Sequence, residues 1–366
     1  MMRILDIINV LETVAPPSLQ ESYDNSGLII GDGAGICTGV MISLDATENV
    51  IEEAFKRNCN LVLSHHPIIF SGLKKINSHD YTGKAVTAAI RREIAVYAIH
   101  TNLDNIIQGV SGKMAEILGI KNIETLLPLK GTVKKLSTFI PILHLEKVRQ
   151  ALFQAGGGKI GNYSDCSFSV MGKGSYTAGE GTNPFAGEKG KAHEEEEVKL
   201  EMVFPAHLES SIVKALKASH PYEEVAYDII SLSNTMASIG SGCIGDTEGE
   251  MEELEFLQLV KEKFRLTVLR HTPLTGTKVN RVALCGGAGS FLISRALAAE
   301  ADIFITSDVK YHEFFDANGR MVLADIGHFE SEQFTINLLF DLLQEKFPNF
   351  AVLKSGSKTN PIQYLI

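Results

Sequence analysis

The sequence predicts an α/β protein: two α/β halves with mostly parallel sheets, separated by a ferredoxin-like insertion. Three observations predict it. Short apolar runs (Val40–Leu44, Leu61–Leu63, Ile94–Ile99) alternate with amphipathic stretches, as buried parallel strands alternate with covering helices. That texture stops after Pro128, gives way to half-exposed alternating strands and a glycine-rich region, and returns from about Gly240. Clusters of histidine and acid follow directly on three of the apolar runs, where open α/β sheets collect ligands. At 366 residues the chain exceeds one comfortable core. The expected division is 1–130, 131–238 and 239–366.

Taken in order, Ile4 to Thr13 has apolar residues at helical spacing and stops before Pro16-Pro17. Ser22 to Gly27 is turn chemistry, in which Asp24 and Asn25 read first as satisfied turn residues and second as contacts to a metal pocket. The strand Val40–Leu44 is followed by a helix from Thr47 to Asn58, and Asp45 between them reads as its cap. Next come the strand Leu61–Leu63 with His65 and His66, a polar loop carrying Lys74, Lys75 and His79, a helix from Gly83 to Arg92, and the strand Ile94–Ile99. In the insertion, Lys134–Ile142 reads as a strand and Leu145–Ala155 as a helix. Lys199–Phe204 then alternates as a strand, Leu208–Ser219 is an amphipathic helix, and Glu223–Ile230 a last strand. Glu194 to Glu197 reads as a solvated edge. His220 and Glu223 stand at a helix end within the insertion and are left out of any metal shell.

In the last third, Glu252–Phe264 reads as a helix and Leu266–Leu269 as a short strand. The strand Val282–Cys285 runs into Gly286-Gly-Ala-Gly-Ser290 and a helix. That turn is open to two readings, an anion cradle at a helix start or a tight packing turn; it is neither G-x-G-x-x-G nor a P-loop. The strands Asp302–Thr306 and Met321–Ile326 end in Ser307-Asp-Val-Lys-Tyr-His312 and Gly327-His-Phe-Glu-Ser-Glu332, so this half echoes the first.

Composition narrows the function classes. A net charge of −10 argues against a broad nucleic-acid surface. The five cysteines form no C-x-x-C pair, which suits reduced thiols, and the start Met1-Met-Arg-Ile lacks a signal-peptide pattern. A cytoplasmic, non-membrane protein is expected. No G-x-S-x-G elbow or Cys/His nucleophile pattern is present.

The chemistry-bearing residues are His65, His66, Asp104, His328 and Glu332, which a parallel sheet would gather past its strand ends. Pro67 holds His66 extended, and neighbouring extended residues face opposite sides, so the His65-His66 pair can serve two ions. His328 and Glu332 share a face if a helix starts there. Three imidazoles and two carboxylates suit two divalent cations about 3.5–4 Å apart. Glu332 would bridge them, His65 and Asp104 would serve one, and His66 and His328 the other. N/O ligation of this kind tolerates Zn, Fe, Mn, Co or Ni.

Ser64-His-His-Pro67, His100-Thr-Asn-Leu-Asp104 and Gly327-His-Phe-Glu-Ser-Glu332 resemble the signatures of the GTP cyclohydrolase I type 2 homologue family, the NIF-three-like proteins. Asp24-Asn-Ser-Gly-Leu28, His220-Pro-Tyr-Glu-Glu224 and Ile305-Thr-Ser-Asp-Val-Lys-Tyr-His312 extend the match along nearly the whole chain, with Tyr23 where the family often has Trp. The resemblance implies a dinuclear metal site, a homo-oligomer that is usually a hexameric ring, and a PII-like or CutA-like identity for the insertion. It also implies a hydrolase opening the guanine imidazole ring of GTP with release of formate. His100 or His312 would then move protons, while Asp308, Lys310 and His312 are candidates either to support the ligands from behind or to contact a small-molecule, nucleotide-like substrate. Competing readings are a metal-dependent phosphoesterase or amidohydrolase using the same ligands, and a non-catalytic metal-holding regulatory scaffold.

Overall fold

The computed structural model describes residues 1–365, which form two compact units. One is built from Met1–Pro128 together with the chain from Ala237 onward, the other from Leu129–Met236. The first segment carries β1 (Gly27–Ile30), β2 (Val40–Ser43), β3 (Leu61–Ser64), β4 (Ala95–Ala98) and β5 (Lys121–Pro128). The intervening unit carries β6 (Val133–Pro141), β7 (Phe168–Thr177), β8 (Ala192–Pro205) and β9 (Tyr227–Ser231). The last segment adds β10 (Gly240–Glu252), β11 (Arg270–His271), β12 (Lys278–Ala288), β13 (Ile303–Ser307), β14 (Val322–Asp325) and β15 (Val352–Lys354).

Two sheets make up the larger unit, in the orders β1-β4-β3-β2-β15 and β11-β14-β13-β12-β10-β5. Each is centred on three parallel strands, β2, β3 and β4 in one and β12, β13 and β14 in the other. Each has a short antiparallel strand beside the third, β1 against β4 and β11 against β14. The echo expected between the halves is therefore present in the strand plan. The halves also exchange edges: β5 pairs with β10 in the second sheet, and β15 pairs with β2 in the first.

β2, β3, β4 and β14 are buried along their whole length, the condition under which apolar runs replace alternation. The helices Glu48–Lys56 and Tyr81–Arg91 cover the first sheet, burying Val50, Ile51, Ala85 and Val86 against Met41, Val62 and Val96. On the second sheet, the helices Val110–Leu118 and Glu253–Lys263 pack Met114, Phe256 and Val260 onto Val282, Leu284 and Ile303. The expected strand at 266–269 is not formed: Leu266 is buried just past the helix end, and pairing is confined to Arg270–His271. β5 and β10 escape a hydropathy reading because glycines and acids interrupt them. At Gly245 a Cβ would stand 2.4 Å from the Lys121 carbonyl of β5, so close backbone approach demands glycine there.

The smaller unit runs β6, helix Leu145–Gln154, β7, β8, helix Glu209–Ser219, β9, in the sheet order β7-β8-β6-β9. All its pairs are antiparallel, which is the split βαβ plan. Both helices pack against it through Val148, Leu152, Ile212 and Leu216. Glu197 departs from the solvated edge expected of residues 194–197: it is buried and accepts a hydrogen bond from the Tyr222 hydroxyl at 2.8 Å. His220 is engaged locally, its ring bonded to the Phe139 carbonyl and accepting from the Tyr222 amide.

Candidate metal centre

The parallel strands deliver the polar residues from their C-terminal ends. β3 releases His65 and His66, and β4 leads through His100 into a single helical turn, Thr101–Asp104, which aims Asp104 back at His65. β14 leads through Gly327 into the turn His328–Glu332, placing both ends of that turn on one face.

Glu332 sits at the middle. Its Oε2 lies 2.9 Å from His66 Nε2 and 3.2 Å from His328 Nε2, while Oε1 lies 3.8 Å from His65 Nε2. His66 and His328 approach within 3.3 Å, and Asp104 Oδ1 lies 3.6 Å from His65 Nε2. All five residues proposed as ligands from the sequence thus converge, with the two imidazoles of the His65-His66 dipeptide reaching different oxygens of one carboxylate. His100 joins them: its ring is 5.3 Å from that of His65 and 5.4 Å from that of His66. Two groups of nitrogens and oxygens are close enough together to share an ion, His65 with His66 and His100, and His66 with His328 and Glu332.

Every imidazole is held by its Nδ1, so every Nε2 faces inward. His65 bonds the Ile99 carbonyl at 2.8 Å, His66 bonds Asp45 at 2.8 Å, His100 bonds Asp24 at 2.8 Å and His328 bonds Asp308 at 2.7 Å. Such outer partners fix the tautomer and aim of a ligating ring. One of them corrects the sequence reading, and another adds to it. Thr47, not Asp45, caps the following helix by accepting from the Val50 amide, and Asp45 is free to hold His66. Asp24 does serve its turn, accepting from the Asn25 amide, yet it also holds His100 and bonds Thr101. The available signal was position: both are acids beside a strand end or a strand-end histidine. Asp308 has its carboxylate engaged by His328.

Lys310 and His312 stand apart in a different way. His312 is exposed and packs against Tyr311 and Phe315, the Lys310 amide donates to Glu313, and neither side chain bonds the cluster among the described residues. The glycine-rich end of β12, which extends through Ala288, resolves as packing. The amides of Gly286, Gly287 and Gly289 donate to Ser111, Ser331 and Thr306, leaving no anion cradle.

The imidazoles and carboxylates of the cluster shift one another's pKa values. Burial opposes the His66 imidazolium, but bonds to Asp45 and Glu332 outweigh it and lift the pKa to about 9. The same contest, with Asp308 and Glu332 as partners, lifts His328 to about 11. Burial pushes Glu332 up, yet the His328, His65 and His66 imidazoles around it hold it well below the usual carboxylate range. Burial and the Glu332 charge raise Asp104 well above that range, and burial lowers His65.

The residues fit a cation. His65 Nε2 and Asp104 Oδ1 are buried with no hydrogen-bond partner, which buried polar atoms rarely tolerate. Room for the carboxylate is built in: at Gly287, with φ of +67°, a Cβ would stand 2.3 Å from Glu332 Oε1. The imidazole and carboxylate donors suit a divalent transition metal.

Comparison with known proteins agrees along the chain's length. It is 37% identical over 364 residues to a Halalkalibacterium halodurans protein named GTP cyclohydrolase 1 type 2 homolog, covering 98% of each chain. It is 36% identical over 367 residues to the Bacillus subtilis protein of the same name, again covering 98% of each. A crystal structure of a Bacillus cereus protein related to NIF3 superposes with a TM-score of 0.85 at 36% identity, over 99% of both chains. The family model described as Duf34/NIF3 (NGG1p interacting factor 3) matches residues 2–361, and the chain belongs to that family.

Proposed function

We propose that the cluster holds two divalent cations and that the chain is a metal-dependent hydrolase acting on a purine nucleotide in the manner of a GTP cyclohydrolase. The observation that carries this is the pair of buried, unpartnered atoms, His65 Nε2 and Asp104 Oδ1, with His65 facing one oxygen of Glu332 while its other oxygen faces His66 and His328. In this reading His65 and Asp104 hold one ion, His66 and His328 the other, and Glu332 both. What such ions supply when bound is hydroxide at neutral pH and polarisation of the bond under attack. Asp45 and Asp308 keep His66 and His328 aimed. Asp24 keeps the His100 Nδ1 proton engaged, so His100 Nε2 is the atom that accepts or returns a proton during ring opening. The name borne by the curated relatives supports the choice of GTP over a phosphodiester.

The split βαβ plan of residues 129–236 favours reading that unit as a PII-like or CutA-like regulatory insertion. With it goes a second reading, a metal-holding scaffold without turnover. A hexameric ring and a cytoplasmic setting complete the proposal; among the described residues no helix is long and apolar enough to cross a membrane.

Metal-loaded protein is expected to release formate from GTP, and Glu332→Gln to abolish release while leaving the fold intact. Formate release undiminished in Glu332→Gln would place the chemistry elsewhere, and silence of the parent protein toward GTP, generic phosphodiesters and dinucleotides alike would favour the scaffold.

A further inference from the structure

Beside the cluster two aromatic rings stand open. Tyr23 is 63% exposed and Phe70 50% exposed. They are neighbours, with centroids 6.2 Å apart and planes inclined by 34°, and Phe70 meets His100 edge-on at 6.1 Å. What distinguishes this exposed pair is its place, against a histidine of the polar cluster. Their placement is braced. The Asn25 side chain donates to the Ile69 carbonyl at 2.6 Å, tying the turn that carries Tyr23 to the loop that carries Phe70. Within the same turn Asp24 accepts from Ser26 and holds His100. Burial and then the charges of Glu21, Asp24 and Asp104 raise the Tyr23 phenol above its usual pKa. Tyr23 makes no hydrogen bond to any member of the cluster among the described residues, and Phe70 meets it through the edge of His100.

We infer that Tyr23 and Phe70 form a stacking shelf that receives the flat heteroaromatic ring of the substrate and presents it to His100 and Glu332. The inference rests on the hydrolase reading for what happens next, but the shelf itself is a binding claim. Two inclined faces accept any planar ring, and the anionic tail of a nucleotide would extend along the exposed loop after Phe70, which carries Lys74 and Lys75. Ring stacking is tolerant of base identity, so the shelf selects for a planar base and not for a particular one.

The chain contains no tryptophan, so Phe70→Trp supplies a single fluorescent reporter at the shelf. Full-length, metal-loaded Phe70→Trp is titrated with GTP, ATP and ribose 5-phosphate. Quenching by both nucleotides and none by ribose 5-phosphate is expected. In the parent chain, calorimetry should show GTP binding weakened by roughly tenfold in both Tyr23→Ala and Phe70→Ala. Ribose 5-phosphate binding and metal content should be unchanged in both. Absence of nucleotide binding, equal quenching by ribose 5-phosphate, or undiminished GTP affinity in the alanine variants would each overturn the shelf. Failure of the hydrolase reading looks different: nucleotides bind and the alanine variants weaken them, while no formate appears.

Discussion

Asp45, Asp24 and Asp308 never face the centre of the cluster, yet each decides where an imidazole points. Removing a ligand and removing its orienting partner should therefore read differently. His66→Ala is expected to retain one metal ion per chain instead of two. Asp45→Asn should retain both sites but lower metal affinity by about 10- to 100-fold, the usual effect of losing an outer carboxylate. Metal titration of chelator-treated protein separates the two, and equal losses would remove the distinction between ligand and orienter. At this scale the sequence was informative about what converges and weak on what supports it. His65, His66, Asp104, His328 and Glu332 announce themselves because histidine and acid directly follow apolar runs. Asp45 does not, because an acid between a strand and a helix fits the capping pattern equally well, and only the fold shows that Thr47 caps instead.

Glu53, on the helix Glu48–Lys56, gathers the segment that follows β15. Its carboxylate accepts from the Ser355 and Ser357 hydroxyls and from the Gly356 and Ser357 amides. Burial pushes its pKa up, but those donors win and hold it at about 2, against an ordinary 4.5. Because folding lowers this pKa, the stabilisation is complete above about pH 4.5 and disappears as pH falls through about 2. Glu53→Gln should cost about 1–3 kcal/mol at neutral pH, the scale of bonds to a charged group. In denaturant titrations the gap between parent and variant should be constant above pH 5 and close progressively toward pH 2. A gap that widens on acidification would assign the effect to another group. The same segment carries Thr359, whose hydroxyl together with His66 offsets the burial of Asp45 and keeps that carboxyl low. None of this was readable from Gly356-Ser-Lys-Thr-Asn-Pro361, which has the composition of an ordinary loop. β7 and β15 were hidden as well, β7 by glycines in a mostly exposed strand and β15 by brevity.

On the scale of the whole molecule, the alternation of apolar runs with amphipathic helices was enough to anticipate an α/β plan with an interruption. What hydropathy could not convey is which sheet each edge strand joins, since pairing partners lie far apart in sequence. The interruption is attached simply. β5 and β10 are antiparallel neighbours with Gly240 opposite Pro128, so joining Pro128 to Ala237 makes a short hairpin. In the excised unit, Lys134 of β6 lies opposite Ser231 of β9, so its ends also meet. Deleting 129–236 should leave a folded protein with unchanged metal stoichiometry, checked by circular dichroism and metal analysis. Collapse of the shortened chain would show that the insertion is needed for folding.

The crossing of β5 into one sheet and β15 into the other has a consequence for synthesis. While a nascent chain still lacks residues 352–354, β2 has no neighbour on its outer side, and β5 waits unpaired for β10. The N-terminal third therefore leaves the ribosome with a bare apolar ribbon edge. That edge stays unpaired until residues 352–354 are free to dock on it.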